Sequence, residues 1–116
     1  MGVEIHEEPD LLVARIRGRM TVADQGALVA ALNEVVQRTG RTKILCIVDQ
    51  DFTGWSGSEE WSHVGQFEGD QHVEKAALVC DPRWNDQMFA FIGKPFRHMP
   101  IEFFSSEDAA RAWLRS

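Results

Sequence analysis

The chain has few cysteines, no tyrosine and fewer basic than acidic residues. Its two cysteines, Cys46 and Cys80, lie inside apolar runs, which predicts two small buried side chains rather than a disulfide framework. The 18 acidic residues outnumber the 12 basic ones, giving a net charge of −6 at pH 7. Nucleic-acid binding and attachment to anionic membranes both favour a basic surface, so we expect neither.

Long apolar segments are also missing, as are a signal-peptide pattern, repeats and linkers. We therefore expect no stable membrane insertion and a location in the reducing cytoplasm. With 116 residues, 44% of them hydrophobic, the chain is long enough for one packed core and too short for two. Residues 1–116 are predicted to form one domain.

The common catalytic motifs are missing: there is no glycine-rich nucleotide loop, CxxC pair, HExxH helix or GxSxG elbow. Residues 54–57, Gly-Trp-Ser-Gly, resemble the elbow, but the second glycine comes one residue early. The histidines are dispersed, so they do not form a metal-binding helix face. We therefore predict no catalytic residue, no metal and no cofactor. The four histidines are His6, His63, His72 and His98.

The chain does have an uninterrupted apolar run at residues 44–48, inside a predicted strand over residues 43–49. Such a run is typical of a central parallel strand that is buried on both faces. A second run, residues 76–80, predicts another interior strand. Ligands of open α/β sheets bind outside the carboxyl ends of these strands. A site is therefore expected first at residues 49–60.

The N-terminal part of the chain predicts a hairpin followed by a helix. The hairpin strands are residues 3–7 and 11–17, and alternation in the second predicts one core face and one partly wet face. Thr21 with Asp24 predicts a capping box, and the helix should end near Thr39-Gly40. Gly26, inside this helix, is expected to let it lie close to the sheet.

Strand and helix patterns alternate after the hairpin. The order ββαβαβαβα predicts an α/β fold, a mixed sheet with an antiparallel N-terminal hairpin and helices packed on the sheet. The last strand is predicted at residues 101–104. The later helices also carry start signals. These are Ser56 or Ser58 for the second helix, Asp81-Pro82 for the third, and Ser105 with Asp108, as a capping box, for the fourth.

Two aspartates follow the central strand and allow two interpretations. Asp49 and Asp51 are spaced as a carboxylate pair for acid–base chemistry, and His63 is the other candidate residue of an enzyme site. Aspartate also commonly ends strands and caps turns, which is the interpretation that we favour.

Aromatic side chains gather after the two interior strands. If Trp55, Trp61 and Trp84 face one another, they line an apolar cleft. Helical spacing of aromatics equally favours packing into the core. The set comprises Phe52, Trp55, Trp61, Phe67, Trp84, Phe89 and Phe91, with Met88 beside them.

Residues spread over nearly the whole chain carry a resemblance to a known family. They are Asp49, Phe52, Gly54, Trp55, Trp61, residues 77–79 with Asp81 and Trp84, Phe96, Phe103, Phe104, Ala110, Trp113 and Leu114. In this pattern the chain resembles the SpoIIAA-like family, small bacterial domains of the STAS type (sulfate transporter and anti-sigma factor antagonist). The resemblance implies a mixed sheet with helices and kinship with CRAL-TRIO-type lipid-binding folds.

The resemblance also implies a regulatory serine. Anti-sigma factor antagonists of this type carry a phosphorylatable serine in an Asp-Ser-x-Gly context, at the start of the helix after the central strand. Here Trp55 stands where that aspartate would precede Ser56. Phosphate is favourable at a helix N-terminus, so Ser56 and Ser58 are the candidate phosphorylation sites.

Three functions from different classes fit the chain. The first, which we favour, is a non-enzymatic regulatory or protein-interaction module that uses the turn and helix after the central strand. The second is a carrier or sensor of a small apolar, lipid-like ligand, and the third is a cofactor-independent enzyme. A homodimer is also open. The surface for a partner or ligand is predicted to comprise Asp49, Asp51, Phe52, Trp55, Ser56, Ser58, Trp61, Trp84 and Met88.

Overall fold

The computed structural model describes residues 2–9, 11–55, 72–92 and 99–116, without the side chains of residues 55 and 89–92. The strands are β1 (Val3–Glu8), β2 (Leu11–Ile16), β3 (Arg19–Met20), β4 (Thr42–Val48), β5 (Gly54–Trp55), β6 (Val73–Val79) and β7 (Ile101–Phe104). The helices are α1 (Val22–Thr39), α2 (Asn85–Ile92) and α3 (Glu107–Arg115), and a 3₁₀ turn (Pro82–Trp84) precedes α2.

Five strands form one mixed sheet in the order β1-β2-β4-β6-β7. β1 runs antiparallel to β2, whereas β2, β4, β6 and β7 are parallel. The predicted α/β fold, with a hairpin at the sheet edge, is therefore confirmed. The two apolar runs form the adjacent inner strands β4 and β6, with Cys46 opposite Leu78 and Ile47 opposite Val79.

The sheet is covered on both faces, because successive strand residues point to opposite sides. Ala14 and Met88 belong to the core on the side of α1 and α2. Val13, Leu45 and Leu114 belong to the core on the side of α3. This two-sided burial explains why the inner strands consist of continuous apolar runs.

The partly wet face predicted for β2 is wet only at its end. Leu11 and Val13 are buried in the α3 cluster, whereas Arg15 is half-buried and Arg17 is exposed. This face is therefore partly wet, as predicted, and its buried first half is covered by α3, which is distant in sequence.

The ends of α1 are as predicted. The hydroxyl of Thr21 accepts from the Asp24 N–H at 3.2 Å, and the Asp24 carboxylate accepts from the Thr21 N–H at 3.0 Å. Gly40 caps the C-terminus with φ of 85°, a left-handed conformation that favours glycine. The role predicted for Gly26 is wrong, because a Cβ at this position would meet nothing within 4 Å.

The capping box predicted at Ser105 is also wrong. Ser106 is the N-cap of α3, and its hydroxyl accepts from the Ala109 N–H at 3.3 Å. Ser105 and Ser106 can both cap a helix. When α3 starts at residue 107, Ala110 and Leu114 lie in the core, so the burial of these side chains selects Ser106 as the N-cap.

The 3₁₀ turn begins as the sequence predicts. Asp81 caps it, and its carboxylate accepts from the Arg83 N–H at 3.0 Å, while Pro82 occupies the first helical position. The predicted third helix is thus a 3₁₀ turn that continues into α2.

A second, two-stranded sheet was not predicted. β3 and β5 pair in parallel, with Arg19 opposite Gly54 and Met20 opposite Trp55. Two residues a strand are too few for a periodic sequence signal. This small sheet fixes the segment after β4 to the segment after β2. The helix predicted from Ser56 or Ser58 lies outside the described residues.

Across the described ranges, no helix combines the length and apolar character needed to cross a membrane.

Candidate functional site

The carboxyl ends of β4 and β6 open onto the same edge of the sheet, as expected for adjacent parallel strands. Between them lies a cleft of about 260 Å³. We call its lining the β4–β6 rim. The rim consists of Val48, Asp49, Gln50, Asp81, Arg83 and Trp84.

Asp49 ends β4 and is held from several directions. Its N–H donates to the Ile16 carbonyl at 2.8 Å, which extends the pairing of β4 with β2. Its Oδ2 lies 3.2 Å from Arg17 Nε and 4.0 Å from an Arg15 terminal nitrogen, while Oδ1 accepts from the Gln50 N–H at 2.9 Å. Two arginines of β2 and its extension therefore balance the charge of this carboxylate.

Asp51 connects the turn after β4 to the turn after β2. Its Oδ1 accepts from the Gly18 N–H at 3.2 Å, and the Thr53 N–H donates to the Gly18 carbonyl at 2.8 Å. Gly18 has φ of 57°, a conformation open to glycine at little cost. Asp51 thus fixes the path of the backbone that leads into β5.

Asp49 and Asp51 do not form a carboxylate pair around one cavity. Asp49 lines the rim and faces Arg17, whereas Asp51 is absent from the rim lining and binds Gly18. Both aspartates bind backbone N–H groups, as turn-forming aspartates commonly do. His63, the base considered with them, lies outside the described residues.

The aromatic set is divided between the core and the rim. Phe52 is only 2% exposed and Met88 only 1% exposed, so both pack inside the fold. Trp84 is half-buried, and Phe52 meets it in a T-shaped contact with ring centroids 4.8 Å apart. Trp84 is therefore the described aromatic that reaches the cleft.

The other predicted surface residues cannot be placed to the same extent. The backbone of Trp55 pairs with Met20, but its side chain lies outside the described residues. The described residues do not include Ser56, Ser58 or Trp61. The predicted facing of three tryptophans stays a prediction.

Arg83 is a rim residue that the sequence analysis missed. Its guanidinium carbon lies 5.5 Å from the centroid of the Trp84 ring, a cation–π geometry. The available signal was its position in Asp-Pro-Arg-Trp, directly after an interior strand. The predicted surface comprised aromatic, acidic, serine and methionine side chains, without a lone arginine.

Cys46 lies in β4 and Cys80 directly follows the neighbouring strand β6, and both thiols are free. Cys80 is buried and its Sγ donates to Asn85 Oδ1 at 3.2 Å, whereas Cys46 is partly buried. Desolvation, with a smaller contribution from Cys80, raises the pKa of the Cys46 thiol to about 12. Desolvation and Asp81 also raise the pKa of Cys80. Neither thiol is poised as a nucleophile at neutral pH.

Two further clefts lie elsewhere. One of about 210 Å³ adjoins the rim between Pro82, Asn85 and Phe103. The other, about 420 Å³, lies at the opposite edge near Thr42 and Glu74. Among the residues that the structure describes, no group of three or more His, Cys, Asp or Glu side chains is arranged to hold a metal ion.

Solved structures share the fold. One is an uncharacterised protein from Shewanella loihica PV-4 with a SpoIIAA-like fold, 18% identical, with a TM-score of 0.67 over 97% of this chain and 91% of that one. Another is the anti-sigma factor antagonist SpoIIAA in its unphosphorylated form, 14% identical, with a TM-score of 0.64 over 98% of each chain. At these identities the likeness shows the fold.

The sequence comparisons give the family. None of the curated protein sequences matches the chain. The family model described as SpoIIAA-like matches residues 11–115, which include β2 to β7 and all three helices. The chain therefore belongs to the SpoIIAA-like family.

Proposed function

We propose that the chain is a non-enzymatic regulatory module of the STAS type that binds a protein partner. The binding surface is the β4–β6 rim together with the segment that follows β5. The single observation that carries this proposal is the way in which the turn after β4 is built. Asp49 is bound by Arg17, and Asp51 by the backbone of Gly18, so both carboxylates maintain a surface.

The rim suits a protein partner because it is rigid below and polar at the top. Phe52 packs under Trp84, which limits the rotation of the indole ring. Arg83 and Trp84 then present a stacked cation and aromatic, side-chain types enriched at interface hot spots. A surface that is already ordered loses little conformational entropy on binding. Membership of the SpoIIAA-like family, with an anti-sigma factor antagonist among its fold relatives, supports the same function.

Binding through the rim is tested by charge reversal. The immobilised chain is incubated with lysate of its own source at modest salt, in parallel with the variants Arg83→Glu and Arg41→Glu. Arg41 is a matched control, because it is an exposed arginine at the opposite edge, 3.4 Å from Glu74. We expect a protein that the original chain and Arg41→Glu retain and Arg83→Glu loses. Equal retention by all three, or no retained protein, would contradict the proposal.

Phosphorylation of Ser56 or Ser58 would regulate this surface. A phosphate on either serine adds about −1.5 to −2 charges to the segment that follows β5 and would change which partners this surface accepts. The measurement is the intact mass after incubation with a lysate of the same source and ATP. A gain of one phosphate that Ser56→Ala or Ser58→Ala abolishes supports the switch, and an unchanged mass counts against it.

A second candidate is the carrier or sensor of a small apolar ligand. It rests on the open cleft beside Trp84. The packing of Phe52 and Met88 inside the fold favours the first proposal, because those side chains are already used as core. Native mass spectrometry of freshly purified protein distinguishes the two. A stoichiometric adduct that Trp84→Ala reduces supports a carrier. A mass equal to that of the protein alone supports the interaction module.

A further inference from the structure

β1 is an outermost strand of the sheet, and its backbone pattern shows which groups face outward. The Arg17 N–H donates to the Gly2 carbonyl at 2.7 Å, so these two residues form a hydrogen-bonded pair. In an antiparallel ladder, hydrogen-bonded and non-hydrogen-bonded pairs alternate. Ile5, opposite Ala14, is therefore a non-hydrogen-bonded pair. Its N–H and C=O point away from β2, as do those of Val3 and Glu7.

The outward side of β1 has an apolar centre. The side chain of Ile5 is 37% exposed, and among the described residues it is the one large hydrophobic side chain exposed to this extent. It lies in the middle of the strand, where its own backbone groups face the edge. In the described ranges no strand pairs with this side of β1. An unpaired outer strand of six residues is a template for another strand.

The three acids of β1 each have an arginine partner within the chain, and Glu4 lies 3.5 Å from Arg17. Glu7 accepts two hydrogen bonds from Arg38 at 2.7 and 2.8 Å. Glu8 accepts two from Arg111 at 2.9 and 3.0 Å. These bidentate pairs neutralise the carboxylates within the chain. The acidic charge that commonly protects an outer strand is therefore largely balanced here.

We propose that two copies of this chain associate through antiparallel pairing of β1 with β1, about a two-fold axis at Ile5. The outward N–H and C=O of Ile5 then bond to Ile5 of the partner subunit. Val3 pairs in the same way with Glu7 of the partner subunit. The five-stranded sheet continues through the dimer, and the contact is isologous as two-fold symmetry requires.

This register avoids placing two carboxylates opposite each other. With the axis at Ile5, Glu4 lies opposite His6 of the partner subunit, and the symmetry repeats the contact. The pair is of the non-hydrogen-bonded kind, in which Cβ atoms approach to about 4.5–5.5 Å. A shift by two residues would place Glu4 opposite Glu4 of the partner subunit or opposite Glu8 of the partner subunit, and like charges directly opposite destabilise a strand pair. Avoidance of these carboxylate contacts therefore selects the register centred on Ile5.

The dimer is expected to be weak. One strand pair supplies about six backbone hydrogen bonds. It buries less than the roughly 1,200 Å² of a stable interface, so dissociation constants fall in the micromolar to millimolar range. The association is independent of the β4–β6 rim, which belongs to the ends of inner strands. Failure of one proposal leaves the other standing.

The test is sedimentation equilibrium of the full chain between about 0.02 and about 1 mM. The original chain should show a reversible monomer–dimer equilibrium. His6→Glu places acid opposite acid and should raise the dissociation constant at least about tenfold. The double variant Glu4→Lys with His6→Glu places a lysine opposite a glutamate and should recover dimerisation. A chain that stays monomeric to about 1 mM overturns the proposal.

Proline substitutions test the backbone part separately. Ile5→Pro removes an outward N–H, so it should leave the monomer folded and abolish the dimer. His6→Pro removes an N–H that points to β2, so it should lower the melting temperature as well. If Ile5→Pro does not fold, the variants at Glu4 and His6 provide the test of the dimer. A dimer that persists in both Ile5→Pro and His6→Glu forms through another surface and refutes this one.

Discussion

The ring of Phe52 meets the ring of Trp84 edge-on, with centroids 4.8 Å apart and planes inclined by 68°. Phe52 belongs to the turn after β4, and Trp84 to the 3₁₀ turn after β6. The contact therefore joins the two segments that leave the inner strands. It holds the floor of the β4–β6 rim in one arrangement.

Loss of this contact should be measurable by a double-mutant cycle in urea. Phe52→Ala removes a buried ring and is expected to cost about 3–5 kcal/mol of unfolding free energy. Combination with Trp84→Ala should be less costly than the sum, by about 0.5–1.5 kcal/mol, the coupling of an aromatic pair.

The control for this cycle is Phe52→Ala combined with Trp113→Ala. Trp113 packs against Phe104, with ring centroids 5.7 Å apart, in the cluster on the other face of the sheet. These two substitutions should add. A coupling of zero between Phe52 and Trp84 would show that their contact carries no energy of its own.

The sequence predicts the fold best at the strands whose two faces are both buried. The runs at 44–48 and 76–80 predict inner strands, and the structure places β4 and β6 side by side. Pairing with β2 and β7 joins segments that are distant in the chain, so no local pattern predicts the strand order. The same reason explains why the packing of α3 on Leu11 and Val13 was not predicted.

The candidate site was predicted in position more than in composition. The carboxyl ends of the two inner strands indicated its position, and Asp49 and Trp84 line the cleft there. The partners of Asp49 and Asp51, which are Arg17 and Gly18, come from the segment after β2. The Asp49–Arg17 contact follows from the pairing of β2 with β4, which joins segments distant in the chain. The Asp51–Gly18 contact precedes the β3–β5 pairing, which has only two residues a strand and no sequence signature.

Gly26→Ala should stabilise the protein. Gly26 lies in α1, and a Cβ there would meet nothing within 4 Å, so only helix propensity changes. The expected gain is about 0.5–1 kcal/mol of unfolding free energy. Gly40→Ala is the matched control, because φ of 85° at the C-cap strains an L-residue. It should destabilise. Equal effects of the two substitutions would contradict the assignment.

The thiols should resist alkylation in the native state. With a pKa of about 12, Cys46 is thiolate at pH 8 to a fraction on the order of 10⁻⁴. Cys80→Ala leaves Cys46 as the single thiol to follow. Intact mass after iodoacetamide treatment should show slow modification in buffer and fast modification in urea. Comparable rates in both would mean that the thiol lies in a polar, accessible site.

Stability at low pH should depend on Glu8. Hydrogen bonds from Arg111 lower the pKa of Glu8 below its ordinary value of 4.5. A lowered pKa means that the folded state favours the carboxylate more than the unfolded state does. The contribution of the pair is therefore present above about pH 4.5 and is lost as the pH falls through the lower, folded-state pKa.

Glu8→Gln tests this dependence. We expect a lower melting temperature than that of the original chain at pH 7, and a difference that narrows steadily below about pH 4.5. Glu102→Gln is the control, because Glu102 is exposed on β7 and makes no ion pair within the described ranges. Its melting temperature should follow that of the original chain at each pH. A Glu8→Gln difference that stays constant from pH 7 to pH 3 would show that the carboxylate acts by shape and not by charge.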